Sequence, residues 1–139
     1  TAGGLSAQRV RMDTVSSNVA NLETTNTPEG GPYQRKVVRF SSGDPSMPFA
    51  NVVRKFMGGG STGVVLTQVG VDTETPNRIV NDPSHPDADP ETGLLEMPNV
   101  DLVQEMTDLT SANRSYQANV TVLNAVKQMA LRALDITSR

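Results

Sequence analysis

The chain has 139 residues, 36% of them hydrophobic, with no Trp, two Tyr and three Phe; this length allows one domain, and the composition predicts a thin core for it. A net charge of −3 without a dense Lys/Arg patch gives no electrostatic basis for binding nucleic acid or an anionic membrane, and no apolar run approaches the about 20 residues that span a bilayer. Zero cysteine excludes disulfides, thiolate zinc sites and a cysteine nucleophile, while the opening "TAGGLSAQRVRMD" has no apolar h-region of a secretory signal.

Proline sets the organisation. All nine prolines lie between Pro28 and Pro98, so a helix-permitting start (1–27), an irregular or β-rich middle (28–98) and a second helix-permitting end (99–139) are expected. The first end carries Leu5, Met12, Val15, Val19 and Leu22 at 7-3-4-3 spacing, with Gln8 in the one skipped position, which predicts a helix from Leu5 to about Leu22 with a narrow apolar stripe.

In the middle, "PYQRKVVRF", "GVVLTQVGVDT" and "NRIVND" have strand-forming residues and predict small hairpins. Between the first two, residues 41–63 read as a flexible excursion. It ends in "GGGSTG", which formally matches G-x-G-x-x-G, but a strand-like "VVLTQV" comes next, where a dinucleotide site needs a helix N-terminus. "DPSHPDADPETG" (82–93) gathers Asp82, His85, Asp87, Asp89 and Glu91. Counted as a calcium loop from Asp87, it has Thr92 where the glycine belongs and Pro98 where the bidentate glutamate belongs, so successive turns explain it better than a cation site.

Pro98 stops the middle, and either Asn99 or Asp101 can cap the second helix, the latter with Gln104 three residues on and Glu105 next to it. The predicted helix from about Asp101 to Ile136 carries a seam of Leu102, Met106, Leu109, Asn113, Tyr116, Val120 and Leu123. The seam then reaches Lys127, and the apolar run resumes one residue to the side with Val126, Met129, Ala133 and Ile136. From Asn99 to Arg139 there are only four acids and four bases, and the off-seam positions are Thr, Ser and Asn. Such a neutral helix gains from being packed on several sides, and one other helix in the chain is too few to do this. Assembly with other copies or other proteins is therefore expected, as a ring or helical tube; a somewhat polar amphipathic helix in a small bundle is the alternative.

The fold expected is mainly α with a small β part, the N- and C-terminal helices pairing as an antiparallel coiled-coil-like layer, with a β-hairpin-rich, loop-rich middle segment. Chemistry is poorly provided for. His85 is the only histidine, no serine has a triad-like context, and no cofactor or metal ligand set is expected. The sequons at Asn113 and Asn119 fall within the predicted helix and are chance matches.

Five stretches, "GLSAQRVRMDTVSSNVAN", "GGPYQRKVV", "NDPSHPDAD", "MPNVD" and "SANRSYQANVTVLNAVKQM", resemble flagellar basal-body rod proteins, and among them the C-type proximal-rod subunits of the FlgC family. The resemblance implies a non-enzymatic structural subunit of the periplasmic rod, exported unfolded by the flagellar type III apparatus. It would polymerise with copies of itself and other rod proteins, contacting membrane-ring and rod-base components. Its terminal helices would build the tubular drive shaft around the export channel. Asn18, Ala20 and Asn21 would mark the end of the first helix, while Asn113, Ser115, Tyr116, Gln117, Ala118 and Asn119 would lie on the packed helix. A soluble helical adaptor or export-chaperone-like module is the alternative reading.

Overall fold

The computed structural model describes residues 2–42 and 64–138. The elements in chain order are α1 (Ala2–Ala20), β1 (Lys36–Ser42), β2 (Val64–Val71), β3 (Arg78–Asn81), β4 (Leu94–Met97) and α2 (Leu102–Thr137). The protein is mainly helical with a small antiparallel β part, as the proline distribution implies. Ser41 and Ser42, expected in the excursion, instead complete β1; the rest of the excursion, 43–63 with its glycine motif, lies outside the described residues.

The two helices run antiparallel. Gly4 faces Asn119, Arg11 pairs with Asp108 at 3.7 Å, and Asn18 meets Glu105 at 3.2 Å, so advancing along α1 means retreating along α2. A Cβ at Gly4 would stand 3.2 Å from the Asn119 side chain, which shows how close the backbones approach there. At 1.5 Å per residue, α2 is about 54 Å long and α1 about 28 Å. Beyond Val120 nothing described covers α2, and residues 121–138 are exposed throughout.

β1 and β2 form one antiparallel ribbon, β3 and β4 a second. In the first, Arg39 pairs with Gln68 and Phe40 with Leu66, so Thr67 is an extra residue that bulges β2. Between α1 and β1 the chain reverses in a turn closed by the Thr27 N–H to Gly31 carbonyl (3.0 Å) and Gly30 N–H to Thr27 carbonyl (2.9 Å) bonds. Gly30 and Gly31 sit at φ 90° and 76°, a region that side chains disfavour.

The interior is small and strongly polar. Ala7, Val15, Tyr33, Leu95, Val100 and Ala112 are its buried apolar residues, and Thr14, Asn18, Asn99 and Glu105 are buried with them. On the helix surfaces several threonines bond backward to their own backbone: the hydroxyls of Thr107, Thr110, Thr121 and Thr137 donate to the carbonyls of Val103, Met106, Gln117 and Ala133 at 2.9 to 3.1 Å.

Candidate functional site

Asn18, on the last turn of α1, is 1% exposed and uses its whole amide. Its Nδ2 donates to the Lys36 carbonyl (2.9 Å) and to Glu105 Oε2 (3.2 Å), and its Oδ1 accepts from the Tyr33 hydroxyl (2.9 Å) and the Lys36 N–H (2.9 Å). One side chain thus ties α1 to the start of β1 and to the first turns of α2. Two donors and two acceptors on one planar group are what this junction requires, and among side chains only Asn and Gln carry them.

Arg35 lies beside this hub. Its Nε donates to Glu105 Oε1, and its terminal nitrogens lie 3.4 Å from Asp108 and 3.5 Å from Asp72. Glu105 itself is fully buried. Burial works against the charge on Arg35, but the hydrogen bond and charge of Glu105, joined by Asp108 and Asp72, outweigh it and hold the guanidinium above its ordinary pKa. Asn99 closes the circle: its Oδ1 accepts from the Arg35 N–H (2.7 Å), and its Nδ2 donates to the carbonyls of Asp72 and Thr75 (3.1 and 3.0 Å). The two candidate caps have therefore divided the work. Asp101, in extended conformation, accepts from the Val103 N–H and caps α2, while Asn99 clamps the approach to β1 at Arg35 to the turn after β2 at Asp72 and Thr75.

The acids of the 82–93 connector hold its turns. Asp82 accepts from the Ser84 N–H and hydroxyl, Asp89 from the Glu91 N–H, and Asp87 from the Thr25 hydroxyl at 2.6 Å. The Ser84 hydroxyl lowers the pKa of Asp82 and the Glu91 N–H that of Asp89. His85 Nδ1 accepts from the Asp87 N–H within the same turn.

The apolar stripes chosen by spacing differ in part from the faces the helices turn toward each other. On α1, Val15 and Asn18 are buried, Leu5, Met12 and Val19 are half-buried, and Ala20 at the helix end is exposed; Asn21 and Leu22 come next, half-buried in the turn. On α2 the inward positions are Glu105, Leu109, Ala112, Ser115, Tyr116 and Asn119, with Val120 half-buried at the edge. Leu102, Met106, Asn113, Gln117 and Ala118 are exposed, as are Leu123, Val126 and Met129 beyond the reach of α1. Spacing overlooked Glu105, Ala112, Ala7, Thr14, Arg35 and Tyr33 because it weights bulk and apolarity, whereas this interface is built from small residues and hydrogen bonds. Gln8, the skipped position of the α1 stripe, has its Oε1 buried without a partner among the described residues.

A buried polar junction holding a short helix against the base of a much longer, otherwise uncovered one is the frame of a part made to be joined to others. Residues 1–26 match the family described as flagella basal body rod protein, and residues 91–136 match flagellar basal body rod FlgEFG protein C-terminal, which puts the chain among the axial proteins of the bacterial flagellum. It is 44% identical to the flagellar basal-body rod protein FlgC of Bacillus subtilis strain 168, over 98% of this chain and 93% of that protein. Identity is 40% to FlgC of Borreliella burgdorferi (96% and 90% covered) and 39% to FlgC of Escherichia coli O6:H1 (95% and 89%). The chain belongs to the FlgC family of flagellar basal-body rod proteins.

Proposed function

We propose that this protein is a structural subunit of the proximal rod of the flagellar basal body and that it polymerises through its terminal helices. The observation that carries the reading is the far half of α2. There Val122, Leu123, Val126, Met129, Leu131, Leu134 and Ile136 are 40 to 76% exposed on one short stretch of helix. An apolar surface of this kind on a chain with so little core is stable in water when neighbours cover it. Membership in a family of rod proteins supplies the neighbours: other copies of the chain and other rod subunits, with membrane-ring and rod-base components at its ends.

In this reading the segments 1–27 and 99–139 form the assembly domain around the export channel, and 28–98 extends outward from it. The junction at Asn18 fixes the angle between the two, since at the start of β1 Lys36 is bonded to Asn18 of α1 and Arg35 to Glu105 of α2. The role is architectural, with no chemistry on a substrate, and delivery is by the flagellar type III export apparatus.

The test is mass spectrometry of detergent-extracted basal bodies after removal of filament and hook, for the parent and for Met129→Asp. The parent is expected in the rod fraction and the variant, altered at a residue 61% exposed, is expected to fold and be missing from it. A parent chain found only in the soluble fraction overturns the proposal.

A further inference from the structure

The two ends of the molecule differ in charge. Residues 79–96 carry five carboxylates, Asp82, Asp87, Asp89, Glu91 and Glu96, and no Lys or Arg; residues 120–138 carry Lys127 and Arg132 against Asp135. The first set lies by the start of α2 and the second on its far half, about 40 Å away along the helix.

At the acidic end is a groove of about 600 Å³ between the β3–β4 ribbon, the 82–93 connector and the turn after α1. Pairing of Ile79 with Glu96 and of Asn81 with Leu94 puts these four residues on one face of the ribbon, while Leu95, on the other face, is buried at 4% exposure. The outward face is thus apolar at its centre, with Ile79 62% and Leu94 43% exposed, and Pro32 opposite. Asp87, Asp89 and Glu96 rim it. The Glu96 carboxylate has no ion-pair or hydrogen-bond partner among the described residues. The Thr25–Asp87 bond joins the two walls, and Gly93, at φ 69° with room for a Cβ only 3.0 Å from Pro83, lets the connector fold back tightly beneath them.

We infer that this groove is a docking site for the far half of a neighbouring rod-family subunit's C-terminal helix, one that presents an aliphatic face with a Lys or Arg set in it. The inference rests on the assembly proposed above and adds where one contact lies. Charge complementarity and shape select the occupant: an aliphatic strip enters between Ile79, Leu94 and Pro32, while a cation on the same strip meets Asp89 and Glu96. This chain's own α2 shows that such a helix exists in the family. Lys127, which interrupts the apolar seam, is flanked by Leu123 and Leu131 four residues to either side and by Leu134 seven residues on. The C-terminal segment carrying it matches a family model named for FlgE, FlgF and FlgG, so the helix is a module shared by different axial proteins. Because the acidic groove and the basic helix half lie at opposite ends, such contacts are heterologous and propagate along an axis instead of closing a pair.

The experiment places a photo-reactive amino acid at Leu94 of the full chain in flagellated cells, followed by basal-body isolation and mass spectrometry of the adduct. The expected adduct is a peptide from the C-terminal helix of a rod subunit, whether a second copy or a relative. Glu96→Lys is expected to reduce adduct yield about tenfold, with yield restored when the cation of the adduct helix is changed to Glu. A chain present in basal bodies whose Leu94 adduct is absent, or maps to a ring component or outside a C-terminal helix, overturns this inference and leaves the rod assignment standing. A chain absent from basal bodies overturns both.

Discussion

Replacing Asn18 by alanine removes a side chain that makes four hydrogen bonds in a site closed to water. The groups left behind are the Lys36 N–H and carbonyl, the Tyr33 hydroxyl and Glu105 Oε2. A net contribution of about 1 kcal/mol for each bond gives about 4 kcal/mol. The Tyr33 hydroxyl has Ser17 Oγ at 3.3 Å as a second partner and recovers part of its share, which brings the expected loss to about 3 kcal/mol. Against a domain stability of roughly 5 to 15 kcal/mol this is a large fraction. Urea unfolding of the full chain, followed by far-UV circular dichroism, reads it as a midpoint lower by about 1.5 to 2 M for a slope of about 1.5 to 2 kcal/mol/M. Asn18→Asp keeps the volume and both acceptors, but it puts a carboxylate 2.9 Å from the Lys36 carbonyl and 3.2 Å from the Glu105 carboxylate. It is therefore expected to lose at least as much as alanine. If either variant unfolds within about 0.5 kcal/mol of the parent, the hub does not hold the helices together and the reasoning fails.

Three further outcomes are expected. Asp101→Ala removes the cap of α2 and costs about 1 kcal/mol, seen as faster amide exchange at Val103 with little change beyond the second turn. Gly93→Ala forces a Cβ into a left-handed position beside Pro83 and loses about 1 to 2 kcal/mol, with exchange rising in the β3–β4 ribbon and not in α1. Acidification weakens the junction from a known direction. The Thr75 hydroxyl and N–H, with the Glu74 N–H and the charge of Arg35 after them, hold the Asp72 carboxyl below its ordinary value, so its stabilisation is complete above about pH 4 and fades as pH falls through the folded pKa. Asp72→Asn is expected to flatten that part of the acid-unfolding curve, and an unchanged curve would show that Asp72 has no part in it.

The outline of this fold was legible because Pro and Gly are nearly confined to the middle and because Asp101 comes just after Pro98 with neither residue at any later position. Strands β1, β2 and β3 were legible from β-branched runs, but β4 was not, since Leu94–Met97 has no β-branched residue, and so the pairing of β3 with β4 was missed; Tyr33 reads as strand and instead sits in the loop before β1 as a buried hydrogen-bond partner of Asn18. The packing faces were less so. Glu105 counts as solvent-facing on any scale of side-chain polarity, yet it is the most deeply buried large side chain of α2 because Arg35 arrives from 70 residues away to meet it. No local pattern carries that information. Asn18 could be singled out only by resemblance, since an asparagine near a helix end is ordinary until its four partners are known.

The backward bonds of the threonines on α2 give its neutral surface a particular character. A threonine whose hydroxyl is already bonded to the carbonyl four residues earlier turns its methyl outward, so Thr107, Thr110 and Thr121 are polar in composition and nearly hydrocarbon in what they offer to a neighbour. Stripping water from such a face breaks few hydrogen bonds and separates no ions. Contacts made through it are accordingly insensitive to salt and to small rotations about the helix axis, since a methyl, unlike a hydroxyl or a carboxylate, has no preferred direction. A shaft that turns in a medium of changing ionic strength can be lined with such surfaces and keep its grip.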